Sequence, residues 1–209
     1  MAGCTAYPPR AQQGFSPTKA VQDRPCPSYP DVSGRRLINY RPDTAKKLMK
    51  DPIVTIRVGS KKDLPRVLEL VKELAEFEKA PHEVINTVEL MEQDGFGTNP
   101  IFGLFVAEVE GQIIGISLYY WRYSTWKGKR LYLEDIIVTE NMRGQGIGKL
   151  LFDRTMQHTL DENCSGMMWQ VLDWNEPAIN FYKKYGSKID GEWINCTLER
   201  QQIEGLLKK

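Results

Sequence analysis

The pattern in this sequence with the clearest chemical implication is an arginine followed by three glycines at alternate positions. Arg143, Gly144, Gly146 and Gly148 come directly after a strand-like apolar run that ends at Val138. Glycines let backbone N–H groups approach a ligand without interference from a Cβ atom, and the N-terminus of the helix predicted to follow adds partial positive charge. We therefore predict a loop that binds a pyrophosphate. Its spacing matches neither the dinucleotide fingerprint nor the P-loop.

Two groups of residues near this loop could move protons. Glu134 and Asp135 interrupt the β-forming run before the loop, where a buried strand normally avoids consecutive carboxylates. Farther along, Asn175 begins a predicted helix that carries Tyr182 and ends at Gly186. A carboxylate can act as a general base and a tyrosine as a general acid.

Taken together, these patterns resemble the GNAT acetyltransferase superfamily. The Arg-x-x-Gly-x-Gly loop is its acyl-CoA pattern, and the Asn-Glu-Pro helix start with its tyrosine is its second signature. Over residues 54–205 the resemblance extends to the diamine (spermidine/spermine) N-acetyltransferase family. The segments that carry it are 73–79, 94–97, 119–120, 123–128, 132–135 and 174–177.

Within that family the chain is most similar to the second branch, which prefers thialysine over polyamines. Segments 77–79, 124–125 and 171–174 carry this likeness. In the polyamine branch aspartate is usual at the position of Ser124, so the serine weakens the case for spermine as a substrate. An amino acid whose side chain ends in an amine carries its own carboxylate and tolerates that loss.

The resemblance implies an α/β fold, the GNAT (acyl-CoA N-acyltransferase) fold, with a mixed and mostly antiparallel sheet flanked by helices. Hydrophobic periodicity predicts the same order of elements. Ser60 and Asp63 resemble a capping box before the first helix. The predicted strands are 53–58, 101–109, 112–123, 130–138, 167–172 and 191–198, and the predicted helices are 64–77, 87–94, 147–160 and 176–185.

Composition divides the chain into two parts. Residues 1–52 are rich in proline and keep no helical or strand period, so we expect a disordered N-terminal extension before the GNAT N-acetyltransferase domain at 53–209. The net charge of +1 gives no general attraction to polyanions, and we expect no nucleic-acid partner. No apolar run reaches the roughly 18–20 residues that cross a bilayer, so we expect no membrane span.

The cysteines and histidines suggest no metal and no covalent catalysis. Cys4, Cys26, Cys164 and Cys196 lack metal-ligand spacing, which favours reduced thiols in the cytoplasm. An organellar location is the alternative if residues 1–52 act as a transit peptide. No base pattern adjoins Cys164 or Cys196, so no acyl-enzyme is expected. Both histidines, His82 and His158, lie outside every motif and are predicted to be surface residues.

The resemblance implies acetyl-CoA as the co-substrate. Backbone groups of Ile136 and Val138 would pair with the pantetheine arm like an added strand, and Asn175 would close on it from the other side. Lys149 stands where the family often has serine, so either a phosphate contact or a solvated side chain is possible. The cofactor-binding residues implied are Ile136, Ile137, Val138, Arg143, Gly144, Gln145, Gly146, Ile147, Gly148, Lys149, Asn175 and Ala178.

The resemblance also assigns the catalytic and acceptor residues. Glu134 is the implied general base, needed because a primary amine with a pKa near ~10.4 is protonated at neutral pH. Tyr182 is the implied general acid that protonates the CoA sulfur. The residues implied to bind the acceptor amine are Phe77, Glu78, Trp126, Glu134, Asp135, Met168, Trp169 and Gln170.

Spacing alone leaves other interpretations open for several of these residues. Tyr182 belongs to a helical stripe with Ala178, Phe181 and Tyr185 that could simply face the core. Glu78 could be a solvated charge at a helix end, and Asp135 could cap backbone groups at a bulge. Residues 168–170 could be ordinary core.

The sequence thus predicts an N-acetyltransferase that moves acetyl from acetyl-CoA to the primary amine of a small di- or polyamine or a thialysine-like amino acid. Two alternatives stay open: an acetyltransferase for protein lysines or N-termini, and a catalytically silent acyl-CoA-binding scaffold. The resemblance also implies a homodimer with substrate sites near the interface. The aromatic residues Trp121, Tyr123 and Trp126 could belong to that interface or line the substrate tunnel.

Overall fold

The computed structural model of the protein describes residues 53–208, and the prediction for residues 1–52 lies outside them. Five strands form one sheet in sequence order. The first four pair antiparallel, and the last pair is parallel. The strands are β1 (Thr55–Val58), β2 (Gly103–Val109), β3 (Gln112–Ser124), β4 (Gly128–Val138) and β5 (Met167–Met168).

Helices cover both faces of this sheet, as the predicted α/β class requires. Short 3₁₀ turns lie at 61–63, 81–83 and 140–142. The helices are α1 (Leu64–Phe77), α2 (Val88–Phe96), α3 (Ile147–Asp161), α4 (Glu176–Lys183) and α5 (Arg200–Leu207).

Two hydrophobic cores hold these layers together. On one face, α1 and α2 pack Leu64, Val67 and Met91 against buried strand residues. On the other face, α3 and α4 pack Phe152 and Tyr182 against the sheet. Alternate strand residues point to opposite faces, so each long strand contributes to both cores.

The start of α1 is held by a buried charge network. The predicted capping box between Ser60 and Asp63 is present. Arg57 also donates two hydrogen bonds to the Asp63 carboxylate, at 2.7 and 2.9 Å. Hydrogen bonds from Arg57 and Ser60 lower the pKa of Asp63 to about 2.

We expect Asp63→Ala to lower the free energy of unfolding at pH 7 by about 2–3 kcal/mol, because it leaves Arg57 without its main partner and removes the capping box with Ser60 that precedes α1. Since the folded pKa is depressed, the contribution is present above the unfolded pKa of about 3.9 and is lost as pH falls toward 2. Urea denaturation at pH 7 and pH 3 measures this. Glu69→Ala, which removes an exposed partner of Arg66, is the control and should cost less than about 1 kcal/mol.

The C-terminal part of the domain differs from the prediction. The strand predicted at 167–172 is only two residues long, and the strand predicted at 191–198 is wrong, because 188–199 has no regular secondary structure. Residues 191–198 are all exposed, and no described strand lies beside them to complete a hydrogen-bond ladder. The helix α5 was not predicted; Glu199 and Gln202 form a capping box at its start.

One histidine is also not where the sequence suggested. His158 is half-buried, and its ring lies 4.9 Å from Tyr119 and 5.4 Å from Phe105 between centroids. Burial lowers its pKa. The surface prediction is wrong for His158 because its position on α3 faces β2 and β3, whereas His82 is exposed as predicted.

Two searches of residues 53–208 concern membranes and metals. None of the described helices is long and apolar enough to cross a membrane. Within the same residues, no group of three or more His, Cys, Asp or Glu side chains is arranged to hold a metal ion. Cys164 and Cys196 are free thiols.

Candidate active site

The two consecutive carboxylates lie at a bulge in β4. Leu118 pairs with Asp135 and Tyr119 pairs with Leu133, so Glu134 is the extra residue without a partner on β3. A bulge adds one residue to one strand and redirects the side chains around it. This accommodates two adjacent carboxylates in a strand that is otherwise apolar.

The side chains before and after the bulge show that it changes which positions of β4, odd or even, face the core. Leu131 and Leu133 before it, and Ile136 and Val138 after it, all pack into the core formed with α3 and α4. Odd and even positions of a regular strand could not share one face. Because the bulge absorbs one residue, both halves of β4 stay anchored in the core.

Beyond the bulge, one edge of β4 is open. The pairing of β4 with β5 ends where Tyr132 meets Met168, and no described strand continues on that side. Thr139 N–H donates to Ile114 O at 2.8 Å, so in the antiparallel alternation the backbone groups of Val138 and Ile136 point away from β3.

The β4 residues that were predicted to bind the acetyl donor, acetyl-CoA, therefore fall into two groups. Ile136 and Val138 present backbone groups to the open edge, as the sequence prediction requires. Ile137 pairs with β3 and buries its side chain in the core formed with α1 and α2, so its backbone is not brought to that edge. The Arg143 guanidinium donates from Nε to Val138 O at 2.9 Å.

The glycine loop follows directly and begins α3. Gly144 and Gly146 have φ of +76° and +79°, a conformation that L-residues with a side chain rarely adopt. Gly146 caps α3, and the loop with Gln145 is exposed, so N–H groups of the first helical turn face solvent. A Cβ atom at Gly148 would have one neighbour within 4 Å, the Val138 side chain at 4.0 Å. The start of α3 beside the edge of β4 is therefore not crowded.

Lys149 makes a contact that the sequence did not suggest. Its ammonium pairs with Asp153 one turn farther along α3. Asp153 also accepts a hydrogen bond from the Tyr185 hydroxyl at 2.8 Å. Lys149 is exposed and stands at the first turn of α3, so it can still reach an anion bound at the loop if the pair opens.

Helix α4 packs beside α3 and the residues that follow β5. Asn175 caps it by accepting from Ala178 N–H at 3.3 Å. Tyr182 is 6% exposed, and its ring packs 5.0 Å from Trp169 and 5.5 Å from Phe152 between centroids. The ring is therefore part of the core, which agrees with the stripe on α4.

The Tyr182 hydroxyl differs from its ring. No residue among 53–208 hydrogen-bonds it, and it is not sealed from solvent. Burial raises the pKa of Tyr182 to about 12. The group is thus fully protonated at neutral pH and free to donate to an incoming atom.

The carboxylates of Glu78, Glu134 and Asp135 lie close enough together to interact. Burial raises the pKa of Glu78 and of Glu134. The pKa of Asp135 rises to about 6, first because of burial and then because the charges of Glu134 and Glu78 lie close to it. The end of α1 and the bulge of β4 thus create one region of negative potential, which favours a cationic ligand.

Aromatic rings connect this region to the glycine loop. The rings of Phe77 and Trp174 lie 5.7 Å apart between centroids. The Arg143 guanidinium lies 5.4 Å from the Phe77 ring, and the Lys79 ammonium lies 5.3 Å from the Trp174 ring. Lys79 and Trp174 were not predicted as site residues, although both lie in segments that carry the family resemblance, among them segments 77–79 and 171–174 of the thialysine-preferring branch.

The remaining predicted acceptor residues divide between core and surface. Trp169 packs in the core beneath Tyr182, and Met168 pairs with Tyr132 in the sheet. Gln170 accepts a hydrogen bond from the Tyr132 hydroxyl at 2.8 Å. Because Tyr132 stacks on Tyr120 beside Glu134, Gln170 supports the neighbourhood of the bulge.

Trp126 is not brought to the site within one chain. It is 86% exposed at the turn between β3 and β4. The turn begins after the pair Ser124–Gly128, five steps along the hairpin from the pair Tyr119–Leu133, which is about 17 Å of strand.

The comparisons with known proteins agree with this architecture. A profile of the acetyltransferase (GNAT) family matches residues 66–186. The mouse (Mus musculus) thialysine N-epsilon-acetyltransferase is 42% identical over 162 residues, which cover 72% of this chain and 95% of the relative. The human (Homo sapiens) spermidine/spermine N(1)-acetyltransferase-like protein 1 is 37% identical over 139 residues, covering 63% of this chain and 20% of the relative.

A solved structure, an integron cassette protein from V. cholerae, superposes with a TM-score of 0.62 at 21% identity and covers 75% of this chain and 98% of its own. This likeness concerns the fold alone. The family profile and the relatives go further: the chain belongs to the GNAT family, in the group that includes the thialysine and diamine acetyltransferases. It is an acetyl-CoA-dependent N-acetyltransferase.

Proposed function

We propose that this enzyme transfers acetyl directly from acetyl-CoA to the terminal primary amine of a thialysine-like amino acid or a small diamine. The observation that carries the proposal is the group of three carboxylates, Glu78, Glu134 and Asp135, beside the open edge of β4. A small cationic amine is the ligand that this negative region attracts. The identity to thialysine acetyltransferases supports an amino-acid amine.

The chain offers a matching place for the donor. The backbone groups of Ile136 and the N–H of Val138 can pair with the amides of a pantetheine arm, as an added strand would, while Val138 O accepts from Arg143. The N–H groups of the loop at Gly144 and Gly146 and the charge of Arg143 suit the pyrophosphate. Asn175 and Ala178 border the arm from α4.

Glu134 and Tyr182 serve the two proton transfers of the proposed reaction. Glu134 removes a proton from the ammonium, directly or through water, so that the nitrogen lone pair can attack the thioester carbonyl. A backbone N–H on β4 near Ile136 or Val138 stabilises the oxyanion. The N–C bond forms, the C–S bond breaks, and Tyr182 delivers its proton to the departing sulfur, while the second proton that the nitrogen loses restores the Tyr182 phenol.

Neither described cysteine suits an acyl-enzyme route. Burial raises the pKa of Cys164, which lies beside Lys129 and Glu162 at the end of α3. Cys196 is exposed in the segment that follows α4. Both are free thiols, which supports direct transfer and a cytoplasmic location.

One assay separates this function from its alternatives. Purified enzyme is given acetyl-CoA with thialysine, lysine, putrescine, spermidine, spermine or a lysine-containing peptide, and the release of free CoA thiol is followed. We expect turnover with the small amines, highest kcat/KM for thialysine, and little with the peptide. Turnover of the peptide alone would indicate a protein acetyltransferase, and binding of CoA without any turnover would indicate a scaffold.

A homodimer is part of the same proposal. Trp126 and Tyr123 are exposed aromatic residues at the tip of the β3–β4 hairpin, far from the bulge of their own chain. A second copy would cover these rings and could bring its Trp126 to the acceptor. Sedimentation of the purified protein tests the dimer, and a monomer with full activity would contradict it.

Asp135→Asn is expected to weaken acceptor binding and to stabilise the fold. With CoA bound so that no transfer occurs, the affinity for putrescine at pH 7 should fall about tenfold, since one charge-assisted contact is lost. In the unaltered enzyme this affinity should fall as pH drops from 7 to 5, because Asp135 has a pKa of about 6. The variant should lose that pH dependence. Isothermal titration calorimetry measures both.

The stabilising effect of Asp135→Asn has the opposite sign from that of a salt-bridged acid. Because the folded pKa lies above the unfolded value of about 3.9, the ionised carboxylate destabilises the fold above pH 6, and this effect vanishes below about pH 4. Removing the charge should raise the free energy of unfolding at pH 7 by about 2 kcal/mol. Asp161→Asn is the control, and equal stability of both variants at pH 7 would contradict the assignment.

A further inference from the structure

We propose that Lys79 binds the α-carboxylate of an amino-acid acceptor and thereby favours amino acids over the corresponding diamines. This inference rests on the proposed function and specifies the substrate class of the same site. Lys79 follows Glu78 directly, so a cation and a carboxylate stand side by side at the end of α1.

The backbone at Lys79 fixes the direction in which its side chain leaves the end of α1. Ala80 N–H donates to Ala75 O at 2.9 Å, and Lys79 N–H donates to Glu76 O at 3.1 Å. These two bonds form a Schellman motif, in which the residue at the position of Lys79 is usually glycine. Lys79 has φ of 62°, a left-handed conformation that a Cβ disfavours. A lysine here is thus less favourable for the backbone than glycine would be.

The Lys79 ammonium has no carboxylate partner within residues 53–208. It lies instead 5.3 Å from the centre of the Trp174 ring, which in turn contacts Phe77. The ammonium therefore lies on the Trp174 ring, next to Phe77, which directly precedes the carboxylate residue Glu78. An unpaired cation at the border of a negative site is available to an anion on the ligand.

Amino acids and diamines differ in the one group that Lys79 would contact, the α-carboxylate. Lysine, ornithine and thialysine each carry a carboxylate that the equivalent diamine lacks. The side-chain ammonium and the α-ammonium suit the carboxylates of Glu78, Glu134 and Asp135, while the α-carboxylate suits Lys79. A diamine has only positive charge, so Lys79 repels its second ammonium.

Pairs of substrates that differ only in the carboxylate measure its contribution to recognition by Lys79. Lysine and 1,5-diaminopentane differ only in that group, and so do thialysine and bis(2-aminoethyl) sulfide. In Lys79→Gln we expect kcat/KM for the amino acids to fall at least about tenfold, mainly through KM, because a charge-assisted contact is lost. For the diamines we expect kcat/KM to stay unchanged or to rise. Lys72→Gln, an exposed lysine on α1, is the control and should affect neither class.

A second variant separates recognition from stability. Lys79→Gly removes the ammonium and supplies the residue that the φ of 62° favours. We expect the same loss with amino acids as in Lys79→Gln, together with a Tm that is unchanged or higher. A lower Tm with an equal loss for both substrate classes would assign Lys79 a structural role.

Failure of this inference can be told from failure of the proposed function. If the unaltered enzyme turns over the amines but Lys79→Gln changes both members of each pair equally, or neither, then Lys79 does not bind the carboxylate. If the unaltered enzyme acetylates no small amine at all, the proposed function falls, and the assignment of Lys79 falls with it.

Discussion

Tyr182→Phe is expected to lower kcat by about 10²- to 10⁴-fold, which is the usual contribution of a positioned general acid. The fold should survive, because the ring packs against Trp169 and Phe152 and no described residue depends on the hydroxyl. Binding of CoA, measured by calorimetry, should be unchanged. Pre-steady-state release of CoA thiol measures the loss at the chemical step.

The raised pKa of Tyr182 sets the pH behaviour of this step. A pKa of about 12 keeps the hydroxyl protonated across the usable pH range, so its ionisation should produce no fall in rate below about pH 10. A phenol with this pKa is a weak acid for a free thiolate, whose pKa is about 8.5. Burial disfavours the Tyr182 phenolate and the CoA thiolate alike. The difference between the pKa of the phenol and that of the thiol therefore becomes smaller when the departing sulfur is also buried beside the ring.

Tyr185→Phe is the matched control for Tyr182→Phe. Tyr185 lies on the same stripe and hydrogen-bonds Asp153. Its replacement should lower stability by about 1 kcal/mol without changing kcat appreciably. A folded Tyr182→Phe enzyme with full kcat would remove Tyr182 as the acid.

Glu134→Gln is expected to lower kcat/KM about 10²-fold at pH 7, because glutamine keeps the shape of the side chain but cannot accept the proton. The loss should shrink as pH rises toward the amine pKa of about 10.4, where free amine is already abundant. Partial burial raises the pKa of Glu134, which makes it a better base than a fully solvated carboxylate.

The pH–rate profile decides the role of Glu134. An enzyme with Glu134→Gln whose profile matches that of the unaltered enzyme would exclude it as the base. Glu110→Gln, at the exposed turn between β2 and β3, removes an equivalent charge far from the bulge and should leave the profile intact.

Local patterns were sufficient for most of the fold. The capping box at Ser60, the three central strands and the glycine-capped start of α3 follow from residues close together in the chain, and the structure confirms them. Where an element depends on a distant partner, the same reasoning failed. The alternating segment 191–198 has strand-forming residues, but no described strand lies beside it.

The same distinction between local patterns and distant partners holds for the residues of the candidate site. The sequence predicted Glu134, Asp135 and the loop at Gly144 as site residues because their residue types are unusual where they stand. It could not place Trp126, which is at the far end of a hairpin, or show that Lys79 lies over the ring of Trp174, almost a hundred residues away. Such contacts exist only after α1 and α4 have packed.

By itself, the sequence indicated the class of enzyme through its resemblance to the GNAT family, because the residues that carry this resemblance stand at short, fixed spacings. Only the tertiary structure decided how those residues meet. It placed a bulge at Glu134, opened the edge of β4 by ending β5 at Met168, and buried the Tyr182 ring while leaving its hydroxyl without a partner among residues 53–208. Burial and the proximity of charges set the pKa of these groups, and both depend on packing between segments that the chain alone leaves far apart.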